Sequence, residues 1–133
     1  MPRLHVLAVS ARLPDWAERA CAEYARRMPR GYEVERLTVR DESRLAPPKG
    51  ARLVVLDERG RDCTTAQFAA LLGGPAAFVI GGADGLSAGL KDKADLLLRL
   101  SSLTLPHALA QVVLLEQLYR AATLLTGHPY HRG

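Results

Sequence analysis

The stretch AAFVIGGADGLS, residues 76–87, carries the features from which the fold can be predicted. Its first part, AAFVIGG (76–82), is a short apolar run closed by two glycines, which predicts a strand buried on both faces. Ser87 then predicts the start of a short helix, because serine is a preferred residue at the N-terminal cap. A fully apolar strand that leads directly into a helix is typical of α/β proteins with a parallel sheet.

The same alternation continues on both sides of this stretch. Further strands are predicted at 4–10, 32–39, 52–57 and 96–100. In 32–39 apolar and charged residues alternate, so this strand has one wetter face and is expected near an edge of the sheet. A turn, ERG, is predicted directly after Asp57. The fold class that follows is α/β, a mainly parallel sheet flanked by helices.

Helices are predicted between the strands from capping residues and from turn residues. They run from Asp15, as the cap, to about Met28, from Thr64 to about Leu72, from Ser87 onward, and from Pro106 to about Leu125. Thr64 and Gln67 have the spacing of a capping box. The first helix has apolar residues at every fourth position, which indicates its buried face. These residues are Trp16, Ala20, Tyr24 and Met28.

Length and composition predict one folded domain, residues 1–133, with 48% hydrophobic residues to form a core. No apolar run reaches the roughly 18 residues of a membrane span, and the start of the chain lacks a signal-peptide cleavage pattern. We therefore expect a cytoplasmic protein. Cys21 and Cys63 are far apart and form no C-x-x-C motif, so we expect neither a metal site nor a disulfide framework, but two core or half-buried residues.

The charge of the chain is mildly basic. The formal net charge is +4, and 15 of the 18 basic residues are arginines. Such an excess is compatible with a polyanionic partner, because phosphate contacts release counterions and arginine favours bidentate phosphate contacts. Taken alone it is a weak indication, since many basic proteins bind no nucleic acid.

The candidate ligand site is expected at the carboxyl ends of the parallel strands, where α/β sheets bind ligands. The loops in question follow Ser10, Leu56, Ile80 and Leu100. GGADGLS, after Ile80, is neither a dinucleotide fingerprint nor a P-loop; its glycine pair indicates either a tight turn or close approach of a ligand. SSLTLP, after Leu100, offers backbone groups that could contact a purine between Leu103 and Leu105, or hydroxyl groups that simply cap a helix.

The last predicted helix is apolar over well more than half of its circumference. Between Ala108 and Leu125 its polar residues are Gln111, Glu116, Gln117, Arg120 and Thr123. A helix of this kind must be buried on more than one side. In so small a domain we expect the second side to contact another copy of the protein. Glu116 and Arg120 are spaced i, i+4 and can form an ion pair.

Three segments point to a known family when they are taken in this order and at this spacing. They are VIGGADGLS, LSSLTLPHALAQVVLLEQLYRA and HPYHRG, and LPDW and VVLDERG fit as well. Together they resemble the bacterial ribosomal RNA large-subunit methyltransferase H family, which belongs to the SPOUT superfamily of knotted methyltransferases. The resemblance implies a C-terminal trefoil knot, a homodimer and no metal. It also implies methyl transfer from S-adenosyl-L-methionine to N3 of a pseudouridine in a hairpin loop of large-subunit (23S) rRNA within the ribosome.

The resemblance also implies site residues. The cofactor-binding positions fall on Leu56, Gly81, Gly82, Leu100, Ser101, Ser102, Leu103, Thr104 and Leu105. The catalytic positions fall on Tyr130, His131 and Arg132, in a tail that we expect to be ordered and to meet the cofactor bound by the partner subunit. His131 is a candidate base because histidine titrates near neutrality, with His107 a weaker candidate. Arg132 stays charged and suits substrate binding and charge stabilisation, and Tyr130 suits stacking or hydrogen bonding to a base.

Three departures from the family pattern bear on RNA binding. The loop between Val39 and Arg52 is much shorter than in enterobacterial members, Gln111 stands where the family usually has arginine, and Ala83 replaces a common proline. Two other functions remain open at this point. One is a SPOUT methyltransferase that acts on another RNA, such as tRNA, and the other is a non-catalytic ribosome-binding or nucleotide-binding module that kept the fold.

Overall fold

The structure, a computed structural model, describes residues 3–82 and 84–132, so that Ala83 lies outside the described residues. The strands are β1 (Leu4–Val9), β2 (Val34–Val39), β3 (Arg52–Asp62), β4 (Ala76–Ile80) and β5 (Leu96–Arg99). The helices are α1 (Asp15–Arg27), α2 (Thr65–Ala70), α3 (Ala88–Lys93) and α4 (His107–Thr126), with short 3₁₀ turns at Glu42–Arg44 and Leu71–Gly73. Every strand and helix predicted from the sequence is present.

The strands form one parallel sheet in the order β2-β1-β4-β3-β5. β4 is the middle strand and all its residues are buried, which explains why AAFVI contains no polar residue. β2 lies at one edge and alternates half-buried with exposed residues, as its charge pattern predicted. The predicted α/β class is therefore confirmed. Because all pairs are parallel, the carboxyl ends of the strands lie at the same edge of the sheet.

Both faces of the sheet are covered, because alternate residues of each strand point to opposite sides. Val6, Val54 and Phe78 belong to a core shared with α1, α2 and α4. Val55 and Val79 belong to a second core on the other face, which includes residues of α3 and of the loop before β3. This double coverage explains the continuous apolar character of the central strands.

β3 is longer than predicted, because it runs on through the predicted turn ERG to its end at Asp62. Leu98 of β5 is the register partner of both Leu56 and Arg61, so residues 57–60 form an insertion that interrupts the pairing. The last residue of the insertion is Gly60, and only glycine fits there, because a Cβ would lie 2.7 Å from the carbonyl carbon of Leu98. Irregularities of this kind often border active sites, and this one borders the cleft described below.

Two details of α1 differ from the prediction. Asp15 is not the cap: Pro14 occupies the cap position, and Asp15 is the first helical residue, where its negative charge is favourable for the helix dipole. The buried face is displaced toward Ala17 and Cys21, which are fully buried, whereas Trp16 is 52% exposed. The small side chains of Ala17 and Cys21 allow α1 to pack closely against α4.

The predicted caps of α2 and α3 are confirmed. The hydroxyl oxygen of Thr64 accepts a hydrogen bond from the N–H of Gln67 at 3.1 Å, and the Gln67 side chain accepts one from the N–H of Thr64 at 2.9 Å. At α3 the hydroxyl oxygen of Ser87 accepts a bond from the N–H of Leu90 at 3.2 Å. The Glu42 carboxylate in turn accepts the N–H of Ser87 at 2.7 Å, which ties the loop before β3 to the start of α3.

Candidate functional site

A cleft of about 710 Å³ opens at the carboxyl ends of β3, β4 and β5. It is bordered by the insertion in β3, by the loops after β4 and β5, and by the first turn of α4. This is the edge at which parallel sheets bind ligands, and the volume lies within the roughly 300–1,000 Å³ of small-molecule sites. The loops after Leu56, Ile80 and Leu100 were predicted to border the site and do so, whereas the loop after Ser10 contributes none of the described lining residues.

Eight of the nine residues predicted to bind a cofactor lie along this cleft. They are Leu56, Gly81, Gly82, Leu100, Ser101, Leu103, Thr104 and Leu105. The ninth, Ser102, is exposed and is not among the described lining residues. Three segments that are distant in sequence therefore meet at one edge of the sheet. That they hold a cofactor stays a prediction.

The Gly81–Gly82 pair is required by close packing around the end of β4. A Cβ on Gly81 would lie 2.8 Å from Cγ of Leu86, and a Cβ on Gly82 would lie 3.0 Å from the carbonyl oxygen of Val9. The carbonyl of Gly82 also accepts a hydrogen bond from the N–H of Gly85 at 3.0 Å, which closes a tight turn. The loop is thus a tight turn, and at Gly81 and Gly82 it presents backbone rather than side chains to the cleft.

Charged side chains that were not predicted from the sequence also border the site. Asp57 and Lys91 form an ion pair, with 3.4 Å between Oδ1 and Nζ. Arg99 donates two hydrogen bonds to Asp62, at 2.6 and 2.7 Å, which lower the pKa of that carboxyl. The strand-end argument could have found Asp57, because it directly follows Leu56. Lys91 lies on α3, and no pattern in the sequence pointed to it.

His107 is the first residue of α4 and lies on the wall of the cleft. Its Nδ1 is 2.7 Å from the carbonyl oxygen of Gly81, and its Nε2 is 2.8 Å from the side-chain nitrogen of Gln111. Both ring nitrogens are thus engaged within the chain. This arrangement does not support the expectation that His107 is a general base.

The other end of α4 reverses the direction of the chain. Gly127 has a left-handed backbone conformation, with φ 78°. The N–H of His128 donates to the carbonyl oxygen of Thr123 at 2.9 Å, which is the closing bond of a Schellman motif. Because of this turn, the last described residues run back along α4 instead of away from it.

Tyr130 holds the tail against α4. Its ring packs edge-on against the ring of Tyr119, with centroids 4.7 Å apart, and lies 4.8 Å from the guanidinium carbon of Arg120. Its hydroxyl donates to Oε2 of Glu116 at 2.9 Å, and the same oxygen accepts a bond from Arg120 at 2.7 Å. Burial, followed by the hydrogen bond to the Glu116 carboxylate, raises the pKa of Tyr130. Tyr130 therefore stays protonated at neutral pH and acts as a donor.

The other two tail residues differ in exposure. His131 is half-buried, with its Nδ1 at 3.3 Å from Nη1 of Arg120, whereas Arg132 is exposed. Neither is among the described residues that line the cleft of the same chain. The tail contacts α4 at Glu116, nine residues after His107, which corresponds to about 14 Å along the helix axis.

α4 is buried mostly within its own chain. Its buried residues are Gln111, Leu114, Leu115, Leu118, Tyr119, Ala121, Ala122 and Thr123. Leu109, Leu124 and Leu125, near its two ends, are exposed. The predicted ion pair of Glu116 with Arg120 is present at 2.7 Å. The exposed leucines are the apolar surface that a second copy could cover, and the homodimer stays a prediction.

Three further observations concern the described part of the chain. None of its helices is both long enough and apolar enough to cross a membrane. Among residues 3–82 and 84–132, no group of three or more His, Cys, Asp or Glu side chains could hold a metal ion. Cys21 is buried and Cys63 is half-buried, and both are free thiols, in the kind of environment that the sequence predicted.

Known proteins resemble this chain over nearly its full length. Residues 2–131 match the family described as "Predicted SPOUT methyltransferase". The protein named ribosomal RNA large subunit methyltransferase H from Paraburkholderia xenovorans strain LB400 is 47% identical over 154 residues, which cover 98% of this chain and 99% of that protein. The protein of the same name from Burkholderia mallei strain SAVP1 is 47% identical over 155 residues, with the same coverage.

A solved structure also matches the fold. It is a probable methylase family protein from Haemophilus influenzae Rd KW20, with a TM-score of 0.64 and 12% sequence identity over 99% of this chain and 71% of that chain. At this level of identity the likeness shows the fold alone.

The fold and the cleft define an α/β protein with a cleft of small-molecule size at the carboxyl ends of its parallel strands. The chain belongs to the SPOUT methyltransferase family. The alignments with the relatives extend over 154 and 155 residues, whereas this chain has 133. The relatives therefore carry residues that this chain lacks, and the short loop between Val39 and Arg52 is one place where these can lie.

Proposed function

We propose that this protein transfers the methyl group of S-adenosyl-L-methionine to N3 of a pseudouridine in a hairpin loop of large-subunit (23S) rRNA, on ribosomes in the cytoplasm. The observation that carries the proposal is the 47% identity, over nearly the full length of both chains, to relatives named ribosomal RNA large subunit methyltransferase H. Family membership supports the methyl transfer, and the name of the relatives supports large-subunit rRNA as the substrate.

The cleft fits S-adenosyl-L-methionine in size and in chemistry. Leu56, Leu100 and Leu105 offer apolar walls for the adenine ring, and the backbone of the surrounding loops offers hydrogen bonds to its edge. Asp57 and Lys91 carry charges opposite to those of the ammonium and carboxylate groups of the methionine part. When bound, the donor supplies a methyl group that its sulfonium charge already makes electrophilic. The chain has to align this group with the nucleophile, which can contribute roughly 7–11 kcal/mol at best.

We infer that two copies of the chain share each reaction centre. Tyr130, His131 and Arg132 carry the groups that suit an RNA base, yet the tail lies about 14 Å along α4 from the cleft wall of its own chain. A second copy that covers the exposed leucines near the ends of α4 would bring the tail of one chain to the cleft of the other. We also infer the trefoil knot of the SPOUT superfamily from membership of the family.

The tail residues have distinct parts in this proposal. N3 of pseudouridine is an imide nitrogen that is mostly protonated at neutral pH, so its proton must leave before it attacks a methyl group. Arg132 is exposed and permanently charged, and it suits stabilisation of the resulting anion. His131 is the candidate base. Arg120 can only donate a hydrogen bond to Nδ1 of His131, so Nδ1 cannot accept a proton while this contact is made. The contact has to break, or the neutral ring has to change its tautomer, before the histidine can act as a base.

The proposal is tested by labelled methyl transfer to intact ribosomes, isolated large subunits, free 23S rRNA and tRNA, taken from cells that lack this protein. We expect the label in 23S rRNA within ribosomes, and mass spectrometry should place it on N3 of one pseudouridine. Label that enters only tRNA would replace the proposal by the tRNA alternative. Calorimetry that detects no binding of S-adenosyl-L-methionine would favour the non-catalytic module.

A further inference from the structure

A chain of hydrogen bonds leads from the interior of α4 to the wall of the cleft. The side-chain nitrogen of Gln111 lies 2.8 Å from Nε2 of His107, and Nδ1 of His107 lies 2.7 Å from the carbonyl oxygen of Gly81. Gln111 is only 1% exposed, and the other buried polar residue among those described, Thr123, lies three turns further along the helix. Burial of an amide costs free energy unless its hydrogen bonds are made, so the contact with His107 offsets part of the cost of burying Gln111.

The partners determine where the proton on His107 lies. The carbonyl oxygen of Gly81 can only accept, so Nδ1 must carry a proton. The amide nitrogen of Gln111 can only donate, so Nε2 must present its lone pair. The two contacts together select one form of the ring, the neutral Nδ1–H tautomer. The opposite tautomer would lose the hydrogen bond to Gly81, and it would keep one to Gln111 only if the Gln111 amide turned by 180°.

The carbonyl at the end of this chain belongs to the peptide between Gly81 and Gly82. Gly81 and Gly82 both border the cleft and carry no side chains that could fix their orientation. The carbonyl of Gly82 is held by the N–H of Gly85 at 3.0 Å, and the carbonyl of Gly81 is held by His107. Rotation of the peptide between the two glycines would exchange a donor for an acceptor at the cleft wall.

We propose that Gln111 and His107 are positioning residues, which fix the Gly81–Gly82 peptide in the orientation that receives the methyl donor. Gln111 reinforces the tautomer of His107 that the Gly81 carbonyl requires, His107 holds that carbonyl, and the glycine loop is thereby arranged before the ligand binds. Such preorganisation raises affinity, because less ordering remains to be done on binding. The identity of the ligand, S-adenosyl-L-methionine, rests on the proposed function; the hydrogen-bond chain does not.

The test compares His107→Leu with His107→Asn and adds Gln111→Leu. The amide nitrogen of asparagine can take the place of Nδ1 and donate to Gly81, whereas leucine cannot. We expect His107→Leu to raise the dissociation constant of S-adenosyl-L-methionine about fivefold to tenfold, and His107→Asn to restore most of the affinity. Gln111→Leu should lie between them. Turnover at saturating donor should change less than KM for the donor. Thr123→Val, which removes the other buried polar group of α4, should leave the affinity unchanged.

Nitrogen NMR of ring-labelled histidine in the ligand-free protein provides a second, independent readout. We expect His107 in the neutral Nδ1–H form in the wild-type protein, and a smaller proportion of that form in Gln111→Leu, where only the Gly81 carbonyl still favours it. The Nε2–H form in the wild-type protein, or equal losses of affinity in the asparagine and leucine variants, would overturn the inference. If the wild-type protein binds no S-adenosyl-L-methionine, the proposed function fails, and the tautomer alone then decides the inference.

Discussion

The two ends of α4 are held in place in different ways. At its N-terminal end, three loops of one chain meet around buried parallel strands and form a cleft that is lined by glycine backbone, leucines and charged side chains. At its C-terminal end, a short tail is held by one aromatic packing contact and by hydrogen bonds to Glu116 and Arg120. Strands that are buried on both faces fix the cleft, whereas a few half-buried contacts fix the tail, and such segments open at low cost in free energy. The part that suits holding a ligand is therefore rigid, and the part that suits acting on a base is releasable.

The largest effect is expected from deletion of residues 130–133. If the tail acts on the RNA base and the cleft holds the donor, methyl transfer to ribosomes should fall at least about 100-fold, the scale of a lost acid–base group. Binding of S-adenosyl-L-methionine, measured by calorimetry, should persist, because the residues that line the cleft remain. Full transfer activity without the tail would contradict the assignment of Tyr130, His131 and Arg132.

Mixing two inactive variants distinguishes a tail that acts on its own cleft from one that acts on a partner's. Thr104→Trp places a large ring at an exposed position on the cleft wall and should block the donor without disturbing the core. Combined in equal amounts with the tail-deleted protein, it should restore about a quarter of wild-type transfer, because half of the resulting dimers are mixed and each holds one complete centre. A mixture that stays inactive, or sedimentation that shows a stable monomer at micromolar concentration, would argue against a shared centre.

Replacement of Tyr130 by phenylalanine should have an intermediate effect. The ring keeps its packing on Tyr119 and Arg120, but the hydrogen bond to Glu116 is lost. A hydrogen bond to a charged group contributes about 1.5–3 kcal/mol, and less where it is partly exposed, so transfer should fall about tenfold. Tyr32→Phe, a tyrosine outside both regions, is the matched control. A loss as large as that of the tail deletion would instead make the hydroxyl of Tyr130 part of the chemistry.

The sequence predicted the cleft, which is the rigid region, better than it predicted the tail, which is the releasable one. Apolar runs such as 76–80 specify a buried strand, and the parallel arrangement then brings their carboxyl ends together, so Leu56, Gly81 and Leu100 could be assigned to one edge before their contacts were known. The insertion in β3 was missed, since the close approach of Gly60 to β5 is a tertiary contact that no local pattern records. The buried face of α1 differs from the predicted one for the same reason. Packing against α4 buries Ala17 and Cys21 instead of the larger Trp16.

The site shows the same limit. Residues adjacent to strand ends could be found from the sequence, and Asp57 would have been found by the same argument. The partners of His107 and Tyr130 could not, because they depend on how α4 lies against the glycine loop and against its own tail. The resemblance to a known family supplied the role of the tail, but not the side chains that hold it.

A smaller effect is expected from Gly127→Ala, which changes the turn that returns the tail to α4. Gly127 has a positive φ of 78°, and an alanine in the left-handed region costs about 1–2 kcal/mol. The midpoint of thermal unfolding should therefore fall by about 4 °C for each kcal/mol, and transfer should fall while donor affinity persists. Gly73→Ala is the control, because that glycine has an ordinary φ and room for a Cβ. Equal effects of the two substitutions would show that the turn does not hold the tail.

The smallest effect concerns pH, and here the tail and the contact between Glu42 and Ser87 should respond in opposite directions. Burial and the neighbouring Glu116 carboxylate raise the pKa of Tyr130 above its ordinary value of about 10. The stabilisation that its protonated form provides is fully present below that value and is lost as the pH rises through the raised pKa. In the loop before β3, hydrogen bonds from Ser87 lower the pKa of Glu42. The contact between the loop before β3 and α3 is therefore fully present above the ordinary carboxyl pKa and is lost as the pH falls through the lowered pKa. Ultraviolet titration of the tyrosines should show one phenol that ionises later than the others and is missing in Tyr130→Phe. If the phenol of Tyr130 titrates together with the other tyrosines, the tail is not docked on α4, and the proposed difference between the two ends of the helix is wrong.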